Sequence, residues 1–369
     1  MVMPYLDAAL RLHAHLSAEH LERGALAGPD SGVRVNYRVG RFVKSYLPFL
    51  PWHDAYYYLQ AQGYWILGNW RLADATGDDR FGSAAVRSAD EVLSRQGADG
   101  AWPYPNREWA GRVATAEGTW AAIGLVETYR RTEERRFLDG ALAWHAYLER
   151  EIGFAAAPGG QAVNYFAESD GLAVPNNSAF VLRFLAELGA VGVEVDRARC
   201  TAMLGFLSSV QASSGELPYA VPNTGSDEER RDHFQCFQYN AFQCLDLLAY
   251  HARTGDDRAL SLADGLASFI RAGLAADGHV AFDCQRRRHT VVYHAAAVAA
   301  ALAAARRSLP GHEDAPAEHS YAWVLSKQRV DGGFPFSERD HGVLSDRRCY
   351  PRYLAYILVH LLAGDEVDE

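Results

Sequence analysis

Several residues that can exchange protons stand just before or at the start of apolar segments of this sequence. Asp54 begins one segment, Glu117 lies at the start of another, and Asp283, His289 and His294 cluster around the start of a third. A carboxyl group enclosed in a cavity has a raised pKa and can act as a general acid or base, and a histidine can relay the proton. We predict that these five residues are catalytic, with Asp54 and Glu117 as the acid/base pair. Each carboxylate, considered alone, could also cap a helix.

Aromatic and hydrogen-bonding residues accompany these groups in the same parts of the chain. Aromatic rings can stack on sugars or enclose an isoprenoid, whereas amides, phenols and guanidinium groups bind hydroxyls and carboxylates. Because Tyr239 and Asn240 are consecutive in a helical segment, they cannot share one face of it. The residues predicted to bind substrate are Trp52, Trp102, Asn177, Tyr239, Asn240, Tyr350 and Arg352.

The sequence predicts no metal and no cofactor. Asp283, Cys284 and His294 offer a mixed ligand set, but they lack the spacing of a compact zinc motif, and neither His-Glu-x-x-His nor Cys-x-x-Cys occurs. The chain has 5 cysteines without paired spacing, which indicates reduced thiols rather than a disulfide framework.

The charge balance excludes one class of partner. The 36 lysines and arginines are outnumbered by 46 aspartates and glutamates, so the formal charge is −10 at pH 7. A net acidic protein repels polyanions, and we therefore expect a small-molecule or oligosaccharide substrate and no nucleic acid. Residues 1–27 carry charges throughout and contain no long apolar run, so we expect neither a membrane span nor a secretion signal there. Together with the reduced cysteines, this predicts a cytoplasmic protein; the sequence does not indicate an oligomeric state.

Helical periodicity dominates the chain, because apolar residues recur at i, i+3, i+4 and i+7 and alternating β-branched residues are scarce. Segments that are apolar on nearly all faces predict inner helices at 54–75, 115–132, 177–191, 237–254, 291–307 and 349–363. More amphipathic segments predict outer helices at 4–23, 80–96, 136–151, 196–212, 258–273 and 314–328.

Two kinds of repeat punctuate these helices. The letters Thr-Gly-Asp-Asp-Arg occur at 76–80 and again at 254–258, each time after an inner segment, where the aspartates are expected to cap the next helix. Turns that begin with Gln96, Gln211 and Gln328 follow outer segments at nearly equal spacings. In each turn the glutamine could bind the exposed end of a neighbouring helix. Such self-similarity indicates a repeat architecture.

We predict one domain, residues 1–369, folded as an all-α (α/α)6 toroid with six inner and six outer helices. Connections from outer to inner helices are the long ones, at 24–53, 97–114, 152–176, 213–236, 274–290 and 329–348. Long loops gathered on one face build binding sites. The active centre should therefore lie at the end of the ring where the inner helices begin.

The Gln-x-x-Asp-Gly-x-aromatic turns at 96–102 and 328–334 resemble the QW repeats of the terpenoid cyclase and protein prenyltransferase superfamily, which is built on α/α toroids. That superfamily's Asp-x-Asp-Asp and Asp-Asp-x-x-Asp motifs are absent from the sequence. The Thr-Gly-Asp-Asp-Arg rhythm is similar to that of six-hairpin carbohydrate enzymes such as unsaturated glucuronyl hydrolases, N-acylglucosamine epimerases and glucuronyl C5-epimerases. Residues 239–245 resemble an inner-helix segment of the last group.

The second resemblance implies an enzyme that acts on a sugar or uronate-containing glycan by general acid/base catalysis, as a hydrolase, lyase or epimerase. The alternative is a terpenoid cyclase or isomerase with an aromatic-lined apolar cavity. In a variant of this alternative, the chain resembles linalool dehydratase-isomerase, an α/α toroid whose acid/base chemistry includes cysteine. Three cysteines lie near the end of the ring predicted to hold the site: Cys236, Cys284 and Cys349. A non-catalytic glycan-binding protein is the third possibility. Paired carboxylates between stacked rings would favour a sugar, and a closed apolar cavity would favour an isoprenoid.

Overall fold

The computed structural model describes residues 4–32, 39–47, 49–50, 55–168, 172–222, 233–285, 287, 289–340 and 344–364. Besides a 3-10 turn at Arg107–Trp109 and a π-helical turn at Leu148–Ile152, twelve long α-helices and one short α-helix occur in these residues. They are α1 (Pro4–Glu19), α2 (Arg41–Tyr46), α3 (Leu59–Thr76), α4 (Asp79–Ser94), α5 (Thr115–Thr132), α6 (Arg135–Tyr147), α7 (Pro175–Ala190), α8 (Arg197–Val210), α9 (Cys236–Thr254), α10 (Asp257–Ala272), α11 (Val292–Ser308), α12 (Ala315–Leu325) and α13 (Pro351–Gly364). The long helices match the predicted inner and outer segments within a few residues, except that α3 begins later.

The long helices form two concentric rings. Helices α3, α5, α7, α9, α11 and α13 pack each against the next, and α13 returns to α3, so the inner ring closes. The remaining long helices pack outside, and α1 pairs with α13, which brings the two ends of the chain into one hairpin. Residues 292–303 of α11 are all buried, because α9, α12 and α13 cover that helix. The predicted (α/α)6 toroid is confirmed. No described helix is long and apolar enough to cross a membrane.

Short antiparallel strands lie in the loops that return from outer to inner helices. They are β1 (Leu21–Glu22), β2 (Ala25–Gly28), β3 (Tyr56–Tyr57), β4 (Phe154–Ala157), β5 (Gly160–Val163), β6 (Leu172–Ala173), β7 (Val221–Pro222), β8 (Thr290–Val291), β9 (Ser337–Asp340) and β10 (Leu344–Asp346). The sheets have the orders β1-β2-β3, β10-β9-β8, β4-β5 and β6-β7. Since β6 pairs with β7 and β8 with β9, loops from different hairpins hold one another in place.

The three glutamine turns attach the outer helices α4, α8 and α12 to the outer helix that follows each of them. Gln96 Nε2 donates 2.9 Å hydrogen bonds to the carbonyls of Gly100, in its own turn, and Gly140, in α6. Gly100 has φ 90°, and a Cβ there would lie 2.3 Å from the carbonyl oxygen of Ala143, so only glycine fits. Gln211 repeats the bonds to Gly215 and Leu262, and Gln328 to Gly332 and Ala8. The contacted carbonyls lie within the next helix rather than at its exposed end, which corrects that expectation.

The repeated Thr-Gly-Asp-Asp-Arg segments connect inner to outer helices at the opposite end of the ring. Asp78 Oδ1 accepts a 2.9 Å bond from the main-chain N–H of Arg80, and Asp256 Oδ1 accepts a 3.0 Å bond from that of Arg258. These aspartates are therefore the N-caps of α4 and α10, as predicted.

Candidate active site

The N-terminal ends of the inner helices and the loops before them enclose a cavity of about 370 Å³. Its wall includes Glu117 of α5, Asn177 of α7, Tyr239 of α9, His294 of α11 and Arg352 of α13. All five belong to the predicted set of site residues. Ring closure thus brings side chains that are distant in the sequence to one space, at the predicted end of the toroid.

Among the described residues, Glu117 is the one carboxylate that lines this cavity, and it is 3% exposed. Its Oε2 accepts a 3.0 Å bond from the main-chain N–H of Gln60, in the first turn of α3, and its Oε1 accepts a 3.3 Å bond from the Tyr104 hydroxyl. The carboxylate therefore caps a neighbouring helix while it faces the cavity. Burial raises the pKa of Glu117, although the bond from Gln60 and the charge of Arg352 oppose that shift. A carboxyl group of raised pKa is suited to act as a general acid.

Two histidines line the cavity on the side of α11. His294 is 1% exposed, and its Nδ1 has no hydrogen-bond partner in the described part of the chain. Burial, followed by the charge of His289, lowers the pKa of His294 well below 6.5, so the ring is neutral at pH 7 and can accept a proton. The ring of His289 stacks on Phe282, with the centroids 4.6 Å apart and 4° between the planes.

Three residues with amide side chains line the cavity. Asn176 Oδ1, Asn177 Nδ2 and Gln238 Oε1 are buried and lack a hydrogen-bond partner among the described residues. A buried polar atom that stays unpaired costs about 1–3 kcal/mol. Amide side chains can hydrogen-bond the hydroxyl or carbonyl groups of a ligand, and a hydrocarbon offers no such groups. The cavity therefore differs from the closed apolar space that an isoprenoid requires.

Arginine side chains supply positive charge to the wall. Arg352 Nη2 donates to Asp30 Oδ1 at 2.8 Å and to the Tyr353 hydroxyl at 2.6 Å, and its guanidinium lies 4.1 Å from the centre of the Tyr58 ring. Asp30, which is 1% exposed, holds the guanidinium in this orientation. Arg41 also lines the cavity. Neither Asp30 nor Arg41 was predicted, because nothing in the sequence links residues so far from Arg352.

Tyrosines form much of the remaining surface. Tyr293 stacks on Tyr353, with ring centres 4.4 Å apart, and Tyr219 lies 5.0 Å from Tyr239. Burial raises the pKa of Tyr239 well above 10, so its hydroxyl is a neutral hydrogen-bond donor. The tyrosines that line the cavity are Tyr104, Tyr165, Tyr219, Tyr239, Tyr293, Tyr353 and Tyr356.

Four predicted site residues do not line the cavity, which corrects the expectation that they face a substrate. The four are Trp102, Asn240, Asp283 and Tyr350. Trp102 is 2% exposed and donates from Nε1 to the Val92 carbonyl at 2.9 Å. Asn240 bonds both main-chain groups of Leu217, at 2.7 and 3.1 Å. Both side chains therefore hold loops against helices.

Asp283 and Tyr350 are likewise engaged locally. Asp283 Oδ1 accepts a 2.9 Å bond from the main-chain N–H of Gln285. The Tyr350 hydroxyl donates to Asp346 Oδ2 at 2.6 Å. Both residues are buried. The predicted residues Trp52 and Asp54 lie outside the described part of the chain.

A second cavity, of about 240 Å³, lies toward the C-terminal ends of the inner helices. Arg183 Nη1 lies 3.0 Å from Asp246 Oδ1 there, and burial raises the pKa of Asp246 to about 6 while Arg183 opposes the rise. Phe242 lines both cavities.

No protein-family model matches the chain, and no curated protein sequence matches it. Solved structures do match. An inactive variant of an α-1,6-mannanase of Salegentibacter sp. HEL1_6, in complex with α-1,6-mannotriose, has a TM-score of 0.69 and 13% identity, over 98% of this chain and 99% of that chain. The unsaturated glucuronyl hydrolase of Bacillus sp. GL1, responsible for glycosaminoglycan degradation, has a TM-score of 0.67 and 13% identity, over 97% and 95%.

The cellobiose 2-epimerase of Bacillus thermoamylovorans B4167 has a TM-score of 0.66 and 14% identity, over 83% of this chain and 87% of that chain. All three proteins are carbohydrate enzymes by name, and their identities to this chain are low. The chain is thus similar in fold, over most of its length, to α/α-toroid carbohydrate enzymes, as the sequence predicted.

Proposed function

We propose that this chain is an enzyme that binds a small sugar or uronate-containing saccharide and transfers protons on it by general acid/base catalysis. The observation that carries the proposal is the composition of one cavity wall. A buried carboxyl group of raised pKa, a neutral histidine and the amide-bearing residues Asn176, Asn177 and Gln238 line the same cavity. The carbohydrate enzymes that share the fold support the class of substrate.

Each group has a role that follows from its surroundings. Glu117 donates a proton, and His294 accepts one with His289 as a relay. Arg352, held by Asp30, binds a carboxylate of the substrate. The amides of Asn177 and neighbouring residues, together with the tyrosine hydroxyls, bind the sugar hydroxyls.

The described wall favours proton transfer at carbon, as in an epimerase or a lyase. Glycoside hydrolases of the common type use two carboxyl groups that flank the scissile bond. Among the described residues Glu117 is the carboxylate that lines the cavity, and the other titratable groups are His289, His294 and arginines or tyrosines. Hydrolysis is the second candidate reaction, and it depends on Asp54 as the partner of Glu117.

The reaction class can be tested by incubating the protein in D₂O with a panel of uronate-containing and neutral di- and oligosaccharides and recording proton NMR spectra. Epimerisation exchanges a carbon-bound proton for deuterium, and elimination gives a conjugated double bond. Hydrolysis gives new reducing ends without exchange at carbon. A chain that neither converts nor binds any saccharide of the panel contradicts the proposal.

Two substitutions then test the roles of these residues, and the second separates the candidate reactions. Glu117→Gln is expected to slow turnover at least about a hundredfold in either case. Asp54→Asn is expected to do the same for hydrolysis and to leave deuterium exchange nearly unchanged if His294 is the base.

The free cysteines support a reducing, cytoplasmic compartment for this enzyme. The acidic net charge supports a saccharide rather than a nucleic acid as its ligand.

A further inference from the structure

Four side chains with metal-ligating atoms meet beside the cavity without lining it. A carboxylate oxygen of Glu216, a ring nitrogen of His233 and the Sγ of Cys284 all lie within 4.8 Å of one another. His233 Nδ1 is 2.9 Å from Glu216 Oε1, and Cys236 Sγ is 3.3 Å from Cys284 Sγ. Three different stretches of chain therefore converge on one point: the loop after α8, the start of α9 and the loop before α11.

The donor set matches the ligand preference of zinc, which binds thiolate, imidazole and carboxylate groups in a tetrahedron. Zinc–sulfur bonds of about 2.3 Å and zinc–nitrogen bonds of about 2.0 Å place neighbouring donors roughly 3.3–3.8 Å apart. The donor atoms of Glu216, His233 and Cys284 need only small side-chain movements to reach these values, and Cys236 adjoins the group through Cys284, whose Sγ is 3.3 Å away. Cys236 and Cys284 are free thiols with their sulfurs 3.3 Å apart.

Burial and access also suit a metal site. The Glu216 side chain is 7% exposed and Cys236 is 3% exposed, so these donors are largely shielded from water. The His233 side chain is 40% exposed and leaves a path from solvent.

We propose that Glu216, His233, Cys236 and Cys284 bind one zinc ion. Binding forms two zinc–sulfur bonds, and the two thiol protons pass to solvent. The ion joins the three stretches of chain that meet here.

The position of this site gives it a role in the shape of the cavity. Tyr219, Phe234 and Phe282 line the cavity, and each stands within three residues of a proposed ligand. Their rings pack together, with 5.1 Å between the centres of Tyr219 and Phe234 and 5.7 Å between those of Phe234 and Phe282. Zinc would therefore hold the aromatic rim of the proposed saccharide site.

Cobalt(II) provides a direct test, because tetrahedral cobalt bound to thiolates has visible d–d bands and a thiolate-to-metal charge-transfer band. The full chain is treated with a chelator in the presence of a non-thiol reductant and titrated with Co²⁺ and then Zn²⁺. We expect one Co²⁺ per chain with both spectral features, displaced by stoichiometric Zn²⁺. Zinc should also raise the thermal midpoint, since it binds the folded state.

Variants assign the ligands. Cys236→Ser and Cys284→Ser are each expected to weaken binding at least about a hundredfold, because even residues that only support metal ligands cost 10- to 100-fold when removed. Cys200→Ser is the control, since Cys200 is a buried cysteine of α8 and should leave binding unchanged. If a cluster variant unfolds, Glu216→Gln and His233→Gln give the same readout without loss of a thiol. Lack of a charge-transfer band, or equal affinity in the wild type and the cluster variants, overturns the proposal.

Discussion

Replacing Glu117 by glutamine removes a proton-carrying group from the cavity and preserves most of its contacts. The amide oxygen of the introduced side chain can still accept the bond from the main-chain N–H of Gln60, and its amide nitrogen can donate to the hydroxyl oxygen of Tyr104. Because the cap of α3 is kept, the free energy of unfolding should change by less than about 1 kcal/mol. The loss of a positioned general acid costs about 10²- to 10⁴-fold in rate, or roughly 2.7–5.4 kcal/mol of transition-state stabilisation.

The pH dependence gives a second readout for Glu117. Its pKa is raised, so the protonated acid persists above pH 4.5 and the rate should fall as pH rises through the folded-state pKa. Between the pKa of Glu117 in the unfolded state and its pKa in the folded state, the unfolded state binds fewer protons than the folded state. The free energy of unfolding should therefore also decrease as pH rises through this range. Glu117→Gln should remove both dependences.

The assay compares steady-state turnover of a converted saccharide with the thermal midpoint of each variant. Glu127→Gln is the matched control, because Glu127 belongs to the same helix but forms ion pairs with Arg130 and Arg131 near the surface; its loss should leave turnover unchanged. Glu117→Ala should in addition lower stability by about 0.5–2 kcal/mol, since it removes the cap. Turnover of Glu117→Gln within twofold of the wild type would refute the catalytic role.

Three further predictions follow from other groups. His294→Gln should abolish the acid limb of the pH profile of kcat/KM, which lies below pH 6.5 because the pKa of His294 is lowered. The wild type should also lose stability as pH falls below 6.5, and the variant less so, because the imidazole takes up a proton there in the unfolded state. An acid limb that the variant retains would contradict the role of His294. Arg352→Gln should weaken the binding of uronates at least about tenfold more than that of neutral sugars of equal size, measured by calorimetry, and equal losses would exclude the proposed carboxylate contact. In denaturant titrations, Gly100→Ala should lower the free energy of unfolding by more than about 3 kcal/mol, and Gly77→Ala should lower it by about 1–2 kcal/mol. Both glycines have positive φ, but only at Gly100 would a Cβ lie 2.3 Å from a carbonyl oxygen. Equal losses in the two variants would show that the Gly100 turn tolerates a side chain.

The helices and their order were predictable because they depend on neighbours along the chain. Apolar residues at helical spacing define both rings, and capping residues such as Asp78 and Asp256 define where outer helices begin. The same local signals placed Glu117, Asn177 and His294 at the starts of inner helices, and in a closed ring all such starts meet at one end. The short strands were missed, because two to four residues are too few to show alternation.

Contacts between distant loops were decided only by the tertiary structure. Asp30 and Arg352 are 322 positions apart, and no periodicity relates them, so their pairing depends on how α13 closes against the first hairpin. Trp102, Asn240 and Tyr350 have residue types suited to a sugar site, yet each satisfies its polar group on nearby chain and so faces away from the cavity. Local spacing determines which residues form a helix, whereas the direction of a loop side chain depends on which buried groups need a partner once the ring has closed. For the same reason, the proposed zinc ligands Glu216, His233 and Cys284, which have no motif spacing, come within 4.8 Å of one another only in the folded toroid.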